Sequence, residues 1–371
     1  MSGKEHYTEI DIARGIGILF VVLGHAVKQT QVSAVWIRIV TYIVYSFHMP
    51  LFFLLSGFVA VRILRMQTFG ERLRYIGNRA VRLLVPYFVI GALYIPVKLK
   101  LSAYAVTPFT AADIPKMLIG QNPDVSLWFL YILFVITAIA ALFVNEDNFR
   151  SILYGSFALS AASYWANISY RTPKYFFFFL LGFWVRLKFE DSEKEGNPDV
   201  MQGQGLMAAV VLVFDVFCIA FLYRTTIMVT MVLTTLSGIY LVLWFSTRLV
   251  YGRAAGNSTS DAVKTAESSG PAAVTPEGDT AGRRPGKAAL LLQGLGLMSM
   301  DIYILHEPVV TVLKLVFWNR LGWNYILCTA LFFILGVLIP IPVSRWLIRP
   351  VPLFRFLLFG ELKGLKKSRA A

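Results

Sequence analysis

The sequence predicts an all-α, polytopic integral membrane protein with about ten transmembrane helices and both termini cytoplasmic. Three observations carry that expectation. Of 371 residues, 57% are hydrophobic and only 15% charged, where soluble domains run about 45–50% apolar and about 25% charged. Apolar runs near the ~20 residues that cross a hydrocarbon core recur along the whole chain. Lys and Arg are also unevenly shared between alternate loops, as the positive-inside rule requires.

The spans follow in order. The first apolar run, 10–28, includes Arg14 and His25. No small-residue cleavage site follows it, so it reads as a retained helix rather than a signal peptide. The second, 40–61, holds Ser46-Phe-His-Met-Pro50, where the proline is expected to kink the helix. Its Ser56-Gly57 pair offers a small-residue point for close helix contact. Runs at 83–98, 126–144 and 151–168 supply three more, and the sixth, 175–189, is short but intensely apolar around Phe176-Phe-Phe-Phe179. Spans at 205–223, 226–246, 295–317 and 323–345 complete the ten. Between the eighth and ninth, residues 252–287 are rich in Gly, Ala, Ser, Thr and Pro and lack aromatics. Such a stretch cannot bury enough apolar surface to repay its ordering entropy, and it is expected to be a disordered cytoplasmic linker. The membrane domain then comprises 1–251 and 288–371, the second part closing in a basic cytoplasmic tail.

With the N-terminus inside, inner segments carry 24 Lys and Arg against 9 in outer ones. The excess of 35 basic over 21 acidic residues, net +14, is therefore topological, and a nucleic-acid partner is not required. Location in the cell (inner or plasma) membrane, in contact with its lipids, is expected. Cys218 and Cys328 lie singly in apolar stretches, which supports neither a disulfide framework nor a metal site. No Gly-rich phosphate loop is present.

Ionisable groups within a membrane span are costly, so each is a functional candidate. Arg14 precedes His25 by eleven residues, about three helical turns plus 20°, which places both side chains on one face roughly 16 Å apart along the axis. A guanidinium suits phosphate, and an imidazole suits proton transfer near neutral pH. Gly17 and Gly24 leave room on this helix for a neighbour or a ligand. His48 lies early in the second span. Asp301, His306 and Glu307 fall in or near the ninth, in Ser299-Met-Asp-Ile-Tyr-Ile-Leu-His-Glu-Pro308. A helix-packing hydrogen bond is the plain alternative for His48 and His306, as snorkelling to headgroups is for Arg14. After the second span, Arg62, Arg65, Arg72, Arg74, Arg79 and Arg82 oppose a single Glu71. Paired guanidiniums at the cytoplasmic mouth beside a buried histidine would suit a soluble, multiply phosphorylated acyl donor such as a coenzyme A thioester.

Six stretches carry a resemblance. Arg14-x10-His25, His48-Met-Pro-Leu-Phe-Phe-Leu-Leu-Ser-Gly-Phe58, Arg79-Ala-Val-Arg-Leu-Leu-Val-Pro86, Ser126-Leu-Trp-Phe-Leu130, Phe179-Leu-Leu-Gly182 and Ser299-Met-Asp-Ile-Tyr-Ile-Leu-His306 occur in the order seen in membrane acyltransferase family 3. The chain resembles its fucose 4-O-acetylase and enterobacterial-common-antigen acetyltransferase type, everywhere except in the linker. The resemblance implies transfer of an acyl group, usually acetyl, from cytoplasmic acetyl-CoA or another acyl-CoA to a hydroxyl of a cell-envelope or exported glycan or lipid-linked sugar. Acyl-CoA is then a co-substrate, with no bound cofactor and no metal. It places Arg14, His25, Arg79 and Arg82 in the donor and catalytic site, with His25 as general base or transient acyl carrier. His306, His48 and Asp301 are held as supporting catalytic candidates. No appended extracytoplasmic hydrolase-like domain is expected, so the membrane domain or a separate partner must meet the acceptor.

Other classes stay open at this stage. A transporter or flippase for a glycolipid or organic anion would also use ten spans and intramembrane charges, although paired Gly/Pro-interrupted spans in corresponding halves are missing. A sensor or scaffold would leave the buried histidines dispensable. N-acylation, succinyl or longer donors, and a homo-oligomer are equally compatible with the sequence.

Overall fold

The computed structural model describes residues 7–29, 34–100, 109–166, 171–197, 199–218, 228–251 and 286–361. Among them there are only helices: α1 (Thr8–Gln29), α2 (Val35–Ala60), α3 (Phe69–Lys100), α4 (Trp128–Phe143), α5 (Phe149–Trp165), α6 (Arg171–Lys194), α7 (Gly205–Phe217), α8 (Met228–Tyr251), α9 (Lys287–Leu297), α10 (Ser299–Leu313), α11 (Tyr325–Leu338) and α12 (Pro352–Phe359). Short 3-10 and π segments extend or join several of them. The linker at 252–285, the end of the predicted seventh span at 219–223, and His6 lie outside the described residues.

Among the described residues, six helical stretches are long and apolar enough to cross a membrane: Thr8–Gln29, Val35–Arg65, Phe69–Lys100, Val125–Phe143, Val232–Tyr251 and Tyr325–Ile348. A seventh appears when Lys287–Leu297 and Ser299–Arg320, a pair interrupted by a sharp bend, count as one span. Three of the ten expected runs fall outside this set within the described residues. Helix α5 has 17 residues, short of the ~20 needed, and α7 has 13 described residues, the remainder of its apolar run lying outside the described residues. Helix α6 is longer, but its apolar run ends at Val185, before Arg186 and Lys188.

Packing divides the chain into two units. One takes Met1–Leu19 with Lys188–Ser299, the other Phe20–Leu187 with Met300–Ala371. In the first, α1 and α9 touch backbone to backbone. A Cβ at Gly15 would lie 2.0 Å from the Leu292 carbonyl oxygen, and one at Gly296 1.8 Å from that of Asp11. Arg248 on α8 pairs with Asp199 at 2.8 Å and donates to the Met201 carbonyl at 2.9 Å.

The second unit repeats the device between α2 and α6. A Cβ at Gly57 would sit 1.8 Å from the Phe179 carbonyl oxygen, and one at Gly182 2.1 Å from that of Leu54. Small residues permit such approach, and in lipid the contact itself is the driving force, since apolar side chains gain little by leaving a hydrocarbon solvent. Buried Phe53, Phe58, Phe178, Phe179 and Phe183 fill in around this seam. Arg72 of the basic cluster has a structural task. Its guanidinium donates to the carbonyls of Ala141 and Val144 at 2.6 and 3.0 Å and of Met66 at 2.9 Å. That caps the C-terminal end of α4, where backbone acceptors lack helical partners and partial negative charge collects.

Candidate functional site

The second unit gathers ionisable groups where α1 ends. His25 and Gln29, four residues apart, share one face of α1. Facing them on α10 are His306 and Glu307. His25 Nδ1 lies 2.8 Å from Glu307 Oε2, and Gln29 Nε2 donates to Oε1 at 3.3 Å. A carboxylate at Nδ1 fixes the proton there, so the neutral ring offers its Nε2 lone pair outward. His306 reaches the same tautomer by another route. Its Nδ1 donates to the Tyr303 and Ile302 carbonyls at 2.7 and 3.1 Å. Its Nε2 is buried without a hydrogen-bond partner among the described residues. The two imidazoles meet edge to face with centroids 4.9 Å apart. What results is two imidazoles next to a half-buried carboxylate.

The ligating atoms of His25, His306 and Glu307 lie within 4.8 Å of one another. Two histidines and a glutamate form a donor set that zinc accepts, although the sequence gives no metal-ligand spacing. His25 and Glu307 are already in ion-pair contact at 2.8 Å.

The loop before α4 walls this cluster. Asp124 accepts from the Ser126 amide at 2.9 Å and its hydroxyl at 2.6 Å, the Asp124 amide donates to Asn122 at 2.9 Å, and Asn122 donates to the Tyr87 carbonyl at 2.8 Å. Burial pushes the Asp124 carboxyl up to about 6. From α10, the Tyr303 hydroxyl donates to the Ser126 carbonyl, so the Ser126-Leu-Trp and Tyr303-x2-His306 stretches come together. Beyond them the half-buried rings of Trp128 and Tyr175 lie 5.5 Å apart, with the Arg171 guanidinium 4.1 Å above Trp128.

The remaining sequence candidates have other surroundings. His48 Nδ1 donates to the Val44 carbonyl one turn back, and its ring meets Tyr45 at 5.0 Å; this is the helix-packing alternative. Asp301 holds Arg349 through two bonds of 2.7 and 2.9 Å and accepts from Ser344. Five residues separate it from His306, about 140° around the helix, so the two face different sides. Arg14 belongs to the first unit, where it meets Asp11 at 3.0 Å. Arg79 donates to the Tyr75 hydroxyl at 3.0 Å and lies over that ring. Arg82 meets Glu361 at 3.0 Å and donates to the Phe359 carbonyl at 2.7 Å.

Sequence reasoning placed Glu307 in the span without giving it a task. A carboxylate next to a histidine in an apolar helix was the available signal, because no such charge stays buried unpaired. Gln29 and Arg349 carried no local signal, since their partners are hundreds or tens of residues away.

The model of acyltransferase family 3, described as an acyltransferase domain, matches residues 7–345. Nodulation protein NolL of Sinorhizobium fredii (strain NBRC 101917 / NGR234) is 32% identical over 141 residues, 36% of each chain. The match thus spans about a third of that relative's length. No solved structure matches.

Proposed function

The chain belongs to acyltransferase family 3, and from that premise we propose that it moves an acyl group, acetyl in the first instance, from acyl-CoA to a hydroxyl of a cell-envelope or exported glycan. The observation that carries the reading is the His25–Glu307 pair, 2.8 Å apart in the apolar part of the molecule with His306 beside it. Glu307 holds the proton on Nδ1, and Nε2 of His25 takes the acceptor hydroxyl's proton as its oxygen attacks the thioester carbonyl. The new ester C–O bond forms, the C–S bond breaks, and the coenzyme A thiolate leaves to be protonated as the free thiol. Glu307 stabilises the imidazolium that forms on the way, as an orienting carboxylate does in Ser-His-Asp enzymes. His306 Nε2 accepts from a neighbouring hydroxyl of the same sugar and so aims the reacting one. Trp128 and Tyr175, with Arg171, give a hydroxyl-rich sugar an aromatic face and a donor. On the donor side Arg79 and Arg82 hold the phosphates of the coenzyme.

The test is thiol release from acetyl-CoA by the purified protein, wild type beside His25→Ala, with and without glycan acceptors. Release that requires His25 and rises with an acceptor is the expected result. If a panel of acyl-CoAs gives no release, or if His25→Ala matches wild type, the reading is wrong.

A further inference from the structure

His306 is fully buried, and its Nε2 has no hydrogen-bond partner among the described residues. A buried imidazole nitrogen left bare is costly, because its desolvation goes uncompensated. The other ring nitrogen is held fast: Nδ1 donates to the Tyr303 and Ile302 carbonyls at 2.7 and 3.1 Å, which keeps the lone pair on Nε2. Histidines that ligate metal ions are arranged in this way, with the far N–H on a backbone carbonyl and the near nitrogen basic. Glu307 is oriented too, since Gln29 donates to its Oε1 at 3.3 Å while Oε2 faces His25 at 2.8 Å.

One ligating atom from each of His25, His306 and Glu307 lies within 4.8 Å of the others. Zinc bonds of about 2.0–2.2 Å place tetrahedral ligand atoms about 3.4 Å apart, so side-chain shifts of roughly 1 Å close the set. The His25 side chain is 26% exposed and that of Glu307 19%, which leaves an ion a way in and a fourth position open. Two imidazoles with a single carboxylate select zinc or a similar ion, whereas calcium and magnesium take six or more ligands, chiefly oxygens.

We infer that His25, His306 and Glu307 bind a divalent ion of the zinc type, and that this ion switches the transferase off. Either ring nitrogen of His25 gives the same result. If Nε2 binds the ion, its lone pair is occupied; if Nδ1 binds, the ring proton moves to Nε2. No lone pair is then left to take a proton from the acceptor hydroxyl. The switch rests on the reading of His25 as general base, while the metal site stands apart from it.

Zinc chloride is the probe, titrated against a chromophoric chelator into the metal-stripped full chain in nanodiscs, with no acyl donor or acceptor present. The wild type is expected to take up one ion per chain, and His306→Ala and Glu307→Gln to bind it at least about tenfold more weakly. In the wild type, cobalt(II) should give the strong visible absorption of a four- or five-coordinate site, and zinc should shield His25 from diethyl pyrocarbonate. Neither of these readouts depends on a variant folding. No saturable uptake, equal affinity in both variants, a weak six-coordinate cobalt spectrum or an unshielded His25 would each overturn the inference. Thiol release from acetyl-CoA should fall as zinc fills the site and return with chelator; release indifferent to bound zinc removes the switch. A protein that binds zinc through these residues but releases no thiol from any acyl-CoA loses the transferase reading and keeps the metal site.

Discussion

Replacing Glu307 with glutamine tests whether the carboxylate acts through His25. The change is nearly isosteric and preserves one oxygen for Gln29, but it removes the charge 2.8 Å from Nδ1. Loss of a charge-assisted hydrogen bond is worth about 1.5–3 kcal/mol, or about 10- to 150-fold in rate at roughly 1.4 kcal/mol per decade. The amide can also donate to Nδ1, which moves the ring proton to Nε2 and abolishes the base; the corresponding change in a Ser-His-Asp enzyme costs about 10⁴. Expected kcat/KM for acyl-CoA-dependent thiol release therefore falls between about tenfold and about 10⁴-fold. The double variant with His25→Ala supplies the decisive comparison. If Glu307 serves only to orient and stabilise His25, its substitution costs little once the imidazole is gone, and the two losses are strongly non-additive. Additive losses, or Glu307→Gln at wild-type rate, would refute the pairing as the source of activity.

Three further outcomes follow from the packing and the charges. Gly182→Ala puts a Cβ 2.1 Å from the Leu54 carbonyl and should cost about 1–3 kcal/mol or more by overpacking, read as a drop in Tm, whereas Gly77→Ala, with nothing within 4 Å, should leave Tm in place. Asp301→Asn strips Arg349 of its charge partner; breaking a buried pair costs about 3–5 kcal/mol, and with Arg349 36% exposed about 1–3 kcal/mol is expected after solvent screening, so an unchanged Tm would remove the strut role. Asp124, raised from 3.8 to about 6, keeps its proton in the folded protein where the unfolded chain releases it. Its contribution is present below pH ~4 and lost as pH climbs through ~6, so Asp124→Asn should gain on wild type by up to about 3 kcal/mol between pH 4 and 7; parallel Tm profiles across that range would contradict the burial argument.

What the sequence made legible was whatever depends on neighbours in the chain. Spans announce themselves by hydropathy, so the all-helical membrane architecture and the ionisable residues inside it were readable. Helix α6 pairs an intensely apolar run of phenylalanines with Arg186 and Lys188 close behind it, so hydropathy alone does not fix its place. Gly57 was visible as a contact point, but its partner Gly182 was not, because that pairing joins residues 125 positions apart. The same limit explains the site. His25 was singled out by its cost in lipid, yet its partner Glu307 lies 282 residues away, and the Arg349 that claims Asp301 sits beyond the last span. Helical periodicity fixes which face a residue takes, and only tertiary packing decides what that face meets.

The glycine seams have a thermal consequence. Where two helices touch through Gly15 and Gly296, or Gly57 and Gly182, the atoms nearest each glycine across the contact are main chain. Main chain already ordered in a helix has no rotamers to surrender when the helices meet, and none to recover when they part. The attraction across such a seam is dispersion and weak Cα–H···O contact, with little entropy on the other side of the balance. Warming therefore loosens the long side chains around the seams, Lys, Arg and Met among them, before it loosens the seams. Each unit keeps a rigid axle while its periphery softens.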